Sequence, residues 1–218
     1  LVLDNRFVSE RVNELKRRKI KFIQADILNF EAIEPFIKDA DVVHHLAGVT
    51  DVAYVKKEMD KEKDDLTIRT AVEGTSNVLK AMNKSAKIIF PSTHVVFEGL
   101  KEQKENVDEN EKTSTFLPYS TSKVENENQI INSGLKHAIF RLGSVYGFST
   151  DTMRINIMPN LFSKITSQNG TIKLFGGGVQ LKTLVPLIDV ARCFKYAEEH
   201  ENFEDGIYNL SKENLTVK

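Results

Sequence analysis

The stretch Asp41-Val42-Val43-His44-His45-Leu46-Ala47-Gly48 decides the fold. It reads as a buried strand running into a tight glycine turn. Outward from it, strand and helix patterns alternate. Upstream lie the apolar run Leu1-Val2-Leu3-Asp4, a helix over 10–18 and a second strand, Lys21-Phe22-Ile23-Gln24-Ala25-Asp26. A helix over 29–38 follows, with Asn29 as its cap. Downstream come a long amphipathic helix over 66–82 and the strand Lys87-Ile88-Ile89-Phe90, expected to stop at Pro91. A helix over 119–133 and the strand His137-Ala138-Ile139-Phe140-Arg141-Leu142 complete the series. Such alternation predicts an α/β fold, a doubly wound parallel sheet with helices on both faces. Ligands in these sheets bind at the carboxyl ends of the strands. Asp4, Asp26, Gly48, Thr93 and Gly143 fall at or just past those ends.

After Gly147 the character changes. Residues 148–183 hold Gly170, the run Gly176-Gly177-Gly178 and only short apolar pieces, which predicts a small second lobe. A helix over 189–199 returns to the first. The expected division is a sheet domain over 1–147, a partial substrate lobe over 148–188 and a returning helix and strand over 189–218. The polar stretch 101–112 reads as a surface loop, and 56–65 as an exposed helix or loop.

The 218 residues are enough to bury a sizeable core. Hydrophobic content of 40% and charged content of 28% are those of a soluble globular protein. A net charge of -1 gives no reason to expect nucleic acid or an anionic membrane as partner. The single cysteine, Cys193, excludes an internal disulfide and fits a reducing compartment. No apolar run approaches the roughly 18 residues a membrane span needs. A soluble cytoplasmic protein is expected.

Chemistry concentrates in Tyr119-Ser120-Thr121-Ser122-Lys123 and in Ser92-Thr93 upstream. On a helix, i and i+4 share a face. A lysine ammonium beside a tyrosine hydroxyl is expected to pull its pKa down from about 10, making the phenol a usable general base. The Thr93 hydroxyl is placed to hold the substrate oxygen. The spacing alone recurs by chance in a chain with 30 Lys and Arg and five Tyr, so context decides. His44, His45 and His94 do not form a metal pattern, because His44 and His45 alternate to opposite faces of a strand. Gly176-Gly177-Gly178 reads as a turn.

Seven segments in order supply the context. They are Asp4, Asp26-Ile27, His45-Leu46-Ala47-Gly48, Glu73-Gly74-Thr75 before Asn77-Val78-Leu79, Phe90 to Phe97, Pro118 to Lys123, and Arg141-Leu142-Gly143-Ser144-Val145-Tyr146-Gly147. Together they resemble the extended short-chain dehydrogenase/reductase family, the NAD-dependent nucleotide-sugar epimerases and dehydratases. The resemblance covers nearly the whole chain. It implies a Rossmann-like sheet, NAD as cofactor, a nucleotide-sugar substrate and a homodimer joined through the helices over 66–82 and 119–133. Asp4 would hold the adenosine ribose, favouring NAD over NADP because a carboxylate repels a 2′-phosphate. Asp26 and Ile27 would grip adenine. Leu46, Ala47 and Gly48 would let backbone approach the cofactor, with Leu142 beside it. Thr93, Tyr119 and Lys123 would be catalytic, Tyr119 and Lys123 also bonding the nicotinamide ribose. Thr93, His94, Ser144, Asn156, Phe175 and Lys182 would contact substrate.

Departures narrow the activity. Where the family's 4,6-dehydratases have Asp-Glu after the catalytic Thr, this chain has His94-Val95, and Val95 has no acid–base chemistry. An epimerase or reductase is expected. A non-sugar alcohol dehydrogenase or a non-catalytic fragment remain the alternatives. Ala71 stands where the family has an Asn supporting the Lys, Ser144 where epimerases have Asn, and Lys182 where an Arg grips the diphosphate. Lysine supplies charge without a bidentate fork. The family's first strand and Gly-x-x-Gly-x-x-Gly turn would precede Leu1, and part of its substrate lobe would follow Lys218. Without that strand the sheet is expected to carry two unpaired edges, and the piece alone to be poorly stable and to bind NAD weakly.

Overall fold

The computed structural model describes residues 1–49, 60–102, 104–149 and 154–218. The elements follow in order: β1 (Val2–Asp4), α1 (Ser9–Arg17), β2 (Phe22–Gln24), α2 (Phe30–Ile37), β3 (Val42–His44), α3 (Lys61–Ala81) and β4 (Lys87–Thr93). Then come α4 (Pro118–Asn132), β5 (Lys136–Leu142), β6 (Ser144–Tyr146), α5 (Met158–Ser167), β7 (Leu181–Pro186), α6 (Leu187–Glu199), β8 (Gly206–Leu210) and β9 (Glu213–Thr216). Short 3-10 turns cover His94–Phe97 and Phe175–Gly178.

Strands β3-β4-β5-β8 form a wholly parallel four-stranded sheet, and β1 pairs in parallel with β2. A third sheet, β6-β7-β9, pairs β6 with β7 in parallel and β7 with β9 in antiparallel. The core explains why β4 and β5 read as continuous apolar runs. Side chains alternate across a strand. Ile88 and Phe90 of β4 and Ile139 of β5 pack with Ile33, Val78 and Ile130 from α2, α3 and α4. Ile89, Ala138 and Phe140 pack on the other face with Val190, Phe194 and Ala197 of α6. Helices on both faces make the sheet doubly wound, as the alternation predicted.

Among the described residues, β1 is paired only with β2 and β3 only with β4. The two expected one-sided edges are therefore present. They correct one expectation: β3 is half-buried instead of buried, because only one strand flanks it.

Two boundaries also differ from the sequence reading. Helix α3 begins at Lys61, five residues before the apolar periodicity, because the Asp60 carboxylate caps it by accepting from Lys63 N at 3.1 Å. Residues 61–65 of the polar stretch are thus helix, while 56–59 lie outside the described residues. Strand β4 runs through Pro91 to Thr93. The His45 amide bonds the Ile89 carbonyl, so Ile89, and Pro91 two residues on, face the β3 side. The β3–β4 register ends at His44↔Ile89, so the N–H that proline lacks has no ladder partner to lose.

The Asn29 cap is as expected, its side chain accepting from Ala32 N at 3.1 Å. Lys87, almost fully buried, donates to the carbonyls of Ala197 (2.7 Å) and His200 (3.0 Å) and so closes the C-terminal end of α6 onto the sheet. No described helix is long and apolar enough to cross a membrane.

Candidate active site

The carboxyl ends of β4 and β5 and the first turns of α4 converge. Pro118 opens α4 at a position where a missing N–H costs nothing. Leu117 gives the helix no side-chain cap. Glu98 replaces one: its Oε1 accepts from Phe116 N (3.2 Å), Leu117 N (2.9 Å) and the Ser120 hydroxyl. That clamp fixes the turn carrying Tyr119.

Thr93 is buried at the end of β4 and accepts from Val95 N at 3.3 Å. Its hydroxyl lies close enough to the Tyr119 phenol to pull that group's pKa down. Lys123 donates to the Pro91 carbonyl at 2.8 Å. Its ammonium lies 4.4 Å from the centroid of the Phe90 ring and 5.9 Å from that of Tyr119. The structure therefore brings Thr93, Tyr119 and Lys123 together, with Tyr119 and Lys123 on one face of α4.

The electrostatics correct the sequence reading. Burial pushes the Tyr119 phenol above its ordinary value, and the nearby Thr93 hydroxyl only partly offsets this. The expected depression by Lys123 is not found, because a phenolate shielded from water is costlier than one ammonium over the ring repays. Lys123 is itself pushed down to about 8 by burial, with the Glu127 carboxylate pulling the other way.

Two histidines flank the set. His45 is buried, bonds Thr75 Oγ1 at 2.8 Å and stacks on Phe90. Burial and then Lys123 push it down to about 3, so it stays neutral. His94 Nδ1 lies 2.9 Å from the Leu142 carbonyl. A carbonyl only accepts, so Nδ1 carries the hydrogen and Nε2 keeps the lone pair. Burial lowers the His94 pKa; the Leu142 bond opposes this and the Lys182 charge adds to it.

A second group sits at the ends of β1 and β2. The Ala25 amide bonds the Asp4 carbonyl at 3.0 Å and sets the two acids side by side. The Asp4 carboxylate accepts from Arg6 N at 2.9 Å. Asp26 accepts from Leu28 N (2.9 Å) and from Asn5 Nδ2 (3.4 Å). Asn77 of α3 donates to the Ile27 carbonyl at 2.9 Å. Gly74 explains why α3 can approach so closely, since a Cβ there would stand 2.3 Å from Ile27 Cδ1. Leu46, Ala47 and Gly48 form an exposed turn after β3.

The remaining expected residues are spread out. Ser144 opens β6, one residue beyond Gly143, where a Cβ would meet the Thr183 backbone at 3.1 Å. Lys182 is exposed on β7, near enough for its charge to act on His94. Asn156 is exposed and accepts from Arg154 at 3.3 Å. Phe175 is 83% exposed in its turn. Neither Asn156 nor Phe175 is hydrogen-bonded to the Thr93–Tyr119–Lys123 group. The cavity of about 470 Å³ lined by Phe140, Tyr196, Phe203 and Tyr208 shares no residue with the site. Among the described residues no group of three or more His, Cys, Asp or Glu side chains is arranged for a metal.

The sequence reading passed over Glu98 and Glu127, and it named Ser92 and Arg141 without their buried bonds to Glu127. Glu127 had a signal, standing four residues after Lys123 on one helix face. Glu98 had none.

Residues 1–211 match the family model described as "NAD dependent epimerase/dehydratase family". A putative UDP-glucose 4-epimerase of Methanocaldococcus jannaschii is 30% identical over 217 residues, covering 96% of this chain and 68% of that protein. Among solved structures, a mutant UDP-glucuronic acid 4-epimerase from Bacillus cereus, in complex with a UDP-sugar and NAD, superposes with a TM-score of 0.82 at 21% identity. It is matched over 99% of this chain and 70% of that one. UDP-glucose 4-epimerase from Thermotoga maritima, with UDP-glucose, gives 0.80 at 24% identity over 99% and 70%. At such identities the likeness is one of fold.

Proposed function

Since this chain belongs to the NAD dependent epimerase/dehydratase family, we propose that it uses NAD to epimerise or reduce a nucleotide-sugar, with Tyr119 as the proton-transfer residue. The observation that carries the reading is the Thr93 hydroxyl beside the Tyr119 phenol, with the Lys123 ammonium 5.9 Å from the centroid of the tyrosine ring.

The residues present fit the cofactor chemically. Lys123 has spent one N–H on Pro91 and keeps two that would bond the hydroxyls of a nicotinamide ribose, as would the Tyr119 phenol. Asp4 and Asp26 accept hydrogen bonds only, which suits the free hydroxyls of an adenosine ribose and disfavours a 2′-phosphate. NAD, when bound, supplies the hydride acceptor and donor. Tyr119 takes the proton of the substrate hydroxyl and returns it, and Thr93 holds the substrate oxygen. The raised phenol favours its protonated form, so the resting site donates a hydrogen bond. Rising pH frees the phenol but discharges Lys123 near 8, so only a small fraction of the protein carries phenolate and ammonium together at any pH.

The dehydratase branch is disfavoured because Val95 has no group for eliminating water. His94 offers its Nε2 lone pair, an acceptor suited to a sugar hydroxyl. We take residues 148–188, which hold α5 and β7, as the partial substrate lobe, with Ser144, Lys182, Asn156 and Phe175 reaching the nucleotide-sugar. Half-exposed apolar side chains on α3 (Leu66, Ile68) and α4 (Ile131) support a homodimer through these helices.

The test is an NADH titration followed by the cofactor's own fluorescence, as the chain has no Trp, together with UDP-sugar turnover. Tyr119→Phe should keep NADH affinity within about threefold while turnover falls by about 10³ or more. Wild-type turnover in that variant would refute the role of Tyr119, and no NADH binding by the folded wild type would refute the cofactor.

A further inference from the structure

Beneath Lys123 lies a charged cluster that proton transfer does not use. Glu127 is 2% exposed and Arg141 4%. Arg141 grips Glu127 with two parallel bonds, Nε to Oε1 at 3.1 Å and Nη2 to Oε2 at 2.8 Å. The Ser92 hydroxyl donates to the same Oε1. Arg141 also donates to the Glu109 carbonyl at 3.1 Å and lies over the Phe97 ring.

We infer that Glu127 is a positioning residue: clamped by Ser92 and Arg141, it sets α4 against the strand that ends in Thr93 and presents its negative charge to the Lys123 ammonium. The inference rests on the reading of Lys123 as a cofactor-holding group.

Three features support it. Ser92 and Arg141 are register partners on β4 and β5, so both side chains rise on the face that α4 covers. Ser92 directly precedes Thr93, so the clamp grips β4 one residue from the hydroxyl that acts on Tyr119. Tyr119, Lys123 and Glu127 are spaced i, i+4, i+8 and form one stripe along α4. A buried ion pair is a poor source of stability compared with apolar packing of equal volume, so its presence calls for another use. The charged and titratable groups around Lys123 are Tyr119 and Glu127 from α4, His45 after β3, which is neutral, and Arg141 from β5. Burial drives Lys123 down to about 8, and Glu127 is the influence that raises it.

The test follows the side-chain titration of Lys123 by NMR in the full chain labelled at lysine, the resonance being assigned by its loss in Lys123→Arg. In Glu127→Gln the midpoint should fall by about half a pH unit or more, since a carboxylate shared with Arg141 gives less than the one to three units of an unshared pair. Glu127→Asp keeps the charge and should stay within about 0.3 unit. If Glu127→Gln does not fold, Arg141→Gln removes the competing cation and the midpoint should rise. An unmoved or raised midpoint in folded Glu127→Gln, or an unmoved or lowered one in Arg141→Gln, overturns the inference: Glu127 would then only hold the helix. The titration needs neither cofactor nor substrate. Failure to bind NADH would overturn the function proposed above and leave this result standing.

Discussion

Replacing Lys123 with Met should make the chain more stable at neutral pH while disabling the site. The side chains are similar in length, so the change removes mainly a charge. An unfolded lysine holds its proton to about 10.5, whereas the folded Lys123 releases it near 8. Between these values the unfolded chain binds more protons, so stability rises with pH. Below pH 8 the whole cost of keeping the ammonium is present, and the gap corresponds to about 3 kcal/mol. Methionine also loses the bond to the Pro91 carbonyl, worth about 1 kcal/mol, which leaves a net gain of about 2 kcal/mol at pH 7. Urea unfolding of both proteins, followed by far-UV circular dichroism, measures the difference directly. At pH 9.5 most of the wild-type cost has gone, and the advantage of Lys123→Met should shrink by about 2 kcal/mol. Other titrating groups cancel in the comparison. A variant no more stable than wild type at pH 7, or an advantage equal at both pH values, refutes the claim that a costly ammonium is held there.

Two further outcomes follow from the geometry. Gly74→Val should push Ile27 out of its packing against α3, costing about 1–3 kcal/mol of stability and weakening NADH more than the stability loss alone explains; unchanged Tm and unchanged NADH affinity would count against the close approach. His94 should remain neutral at pH 6.5, with its proton on Nδ1, because burial and Lys182 both hold its pKa down. Nitrogen-15 shifts of the ring decide this, and an imidazolium at that pH would contradict the placement against Leu142.

Much of the architecture was legible because it rests on local rules. Asn29 reads as a cap and is one. The i, i+4 spacing of Tyr119 and Lys123 places them on one helix face whatever surrounds them. What was missed depended on distant neighbours. Pro91 was read as a stop because proline lacks an N–H, but its effect depends on which side of the strand that N–H would face. Lys61 to Asp65 read as exposed helix or loop because charges carry no apolar period, and it is the Asp60 cap that decides for helix. Glu127 looks like any helix carboxylate until β5 supplies Arg141. The Tyr119 shift had the wrong sign because spacing reveals a nearby lysine but not the loss of water.

Pro91 has one more consequence, and it belongs to the unfolded chain. Its ring fixes its own φ and biases Phe90 toward extended geometry. The carbonyl that receives the Lys123 amine and the ring beneath that amine therefore come from a dipeptide with few alternative shapes before folding begins. Holding a buried ammonium requires partners fixed in place, and here part of the entropy of fixing them is already absent from the denatured ensemble.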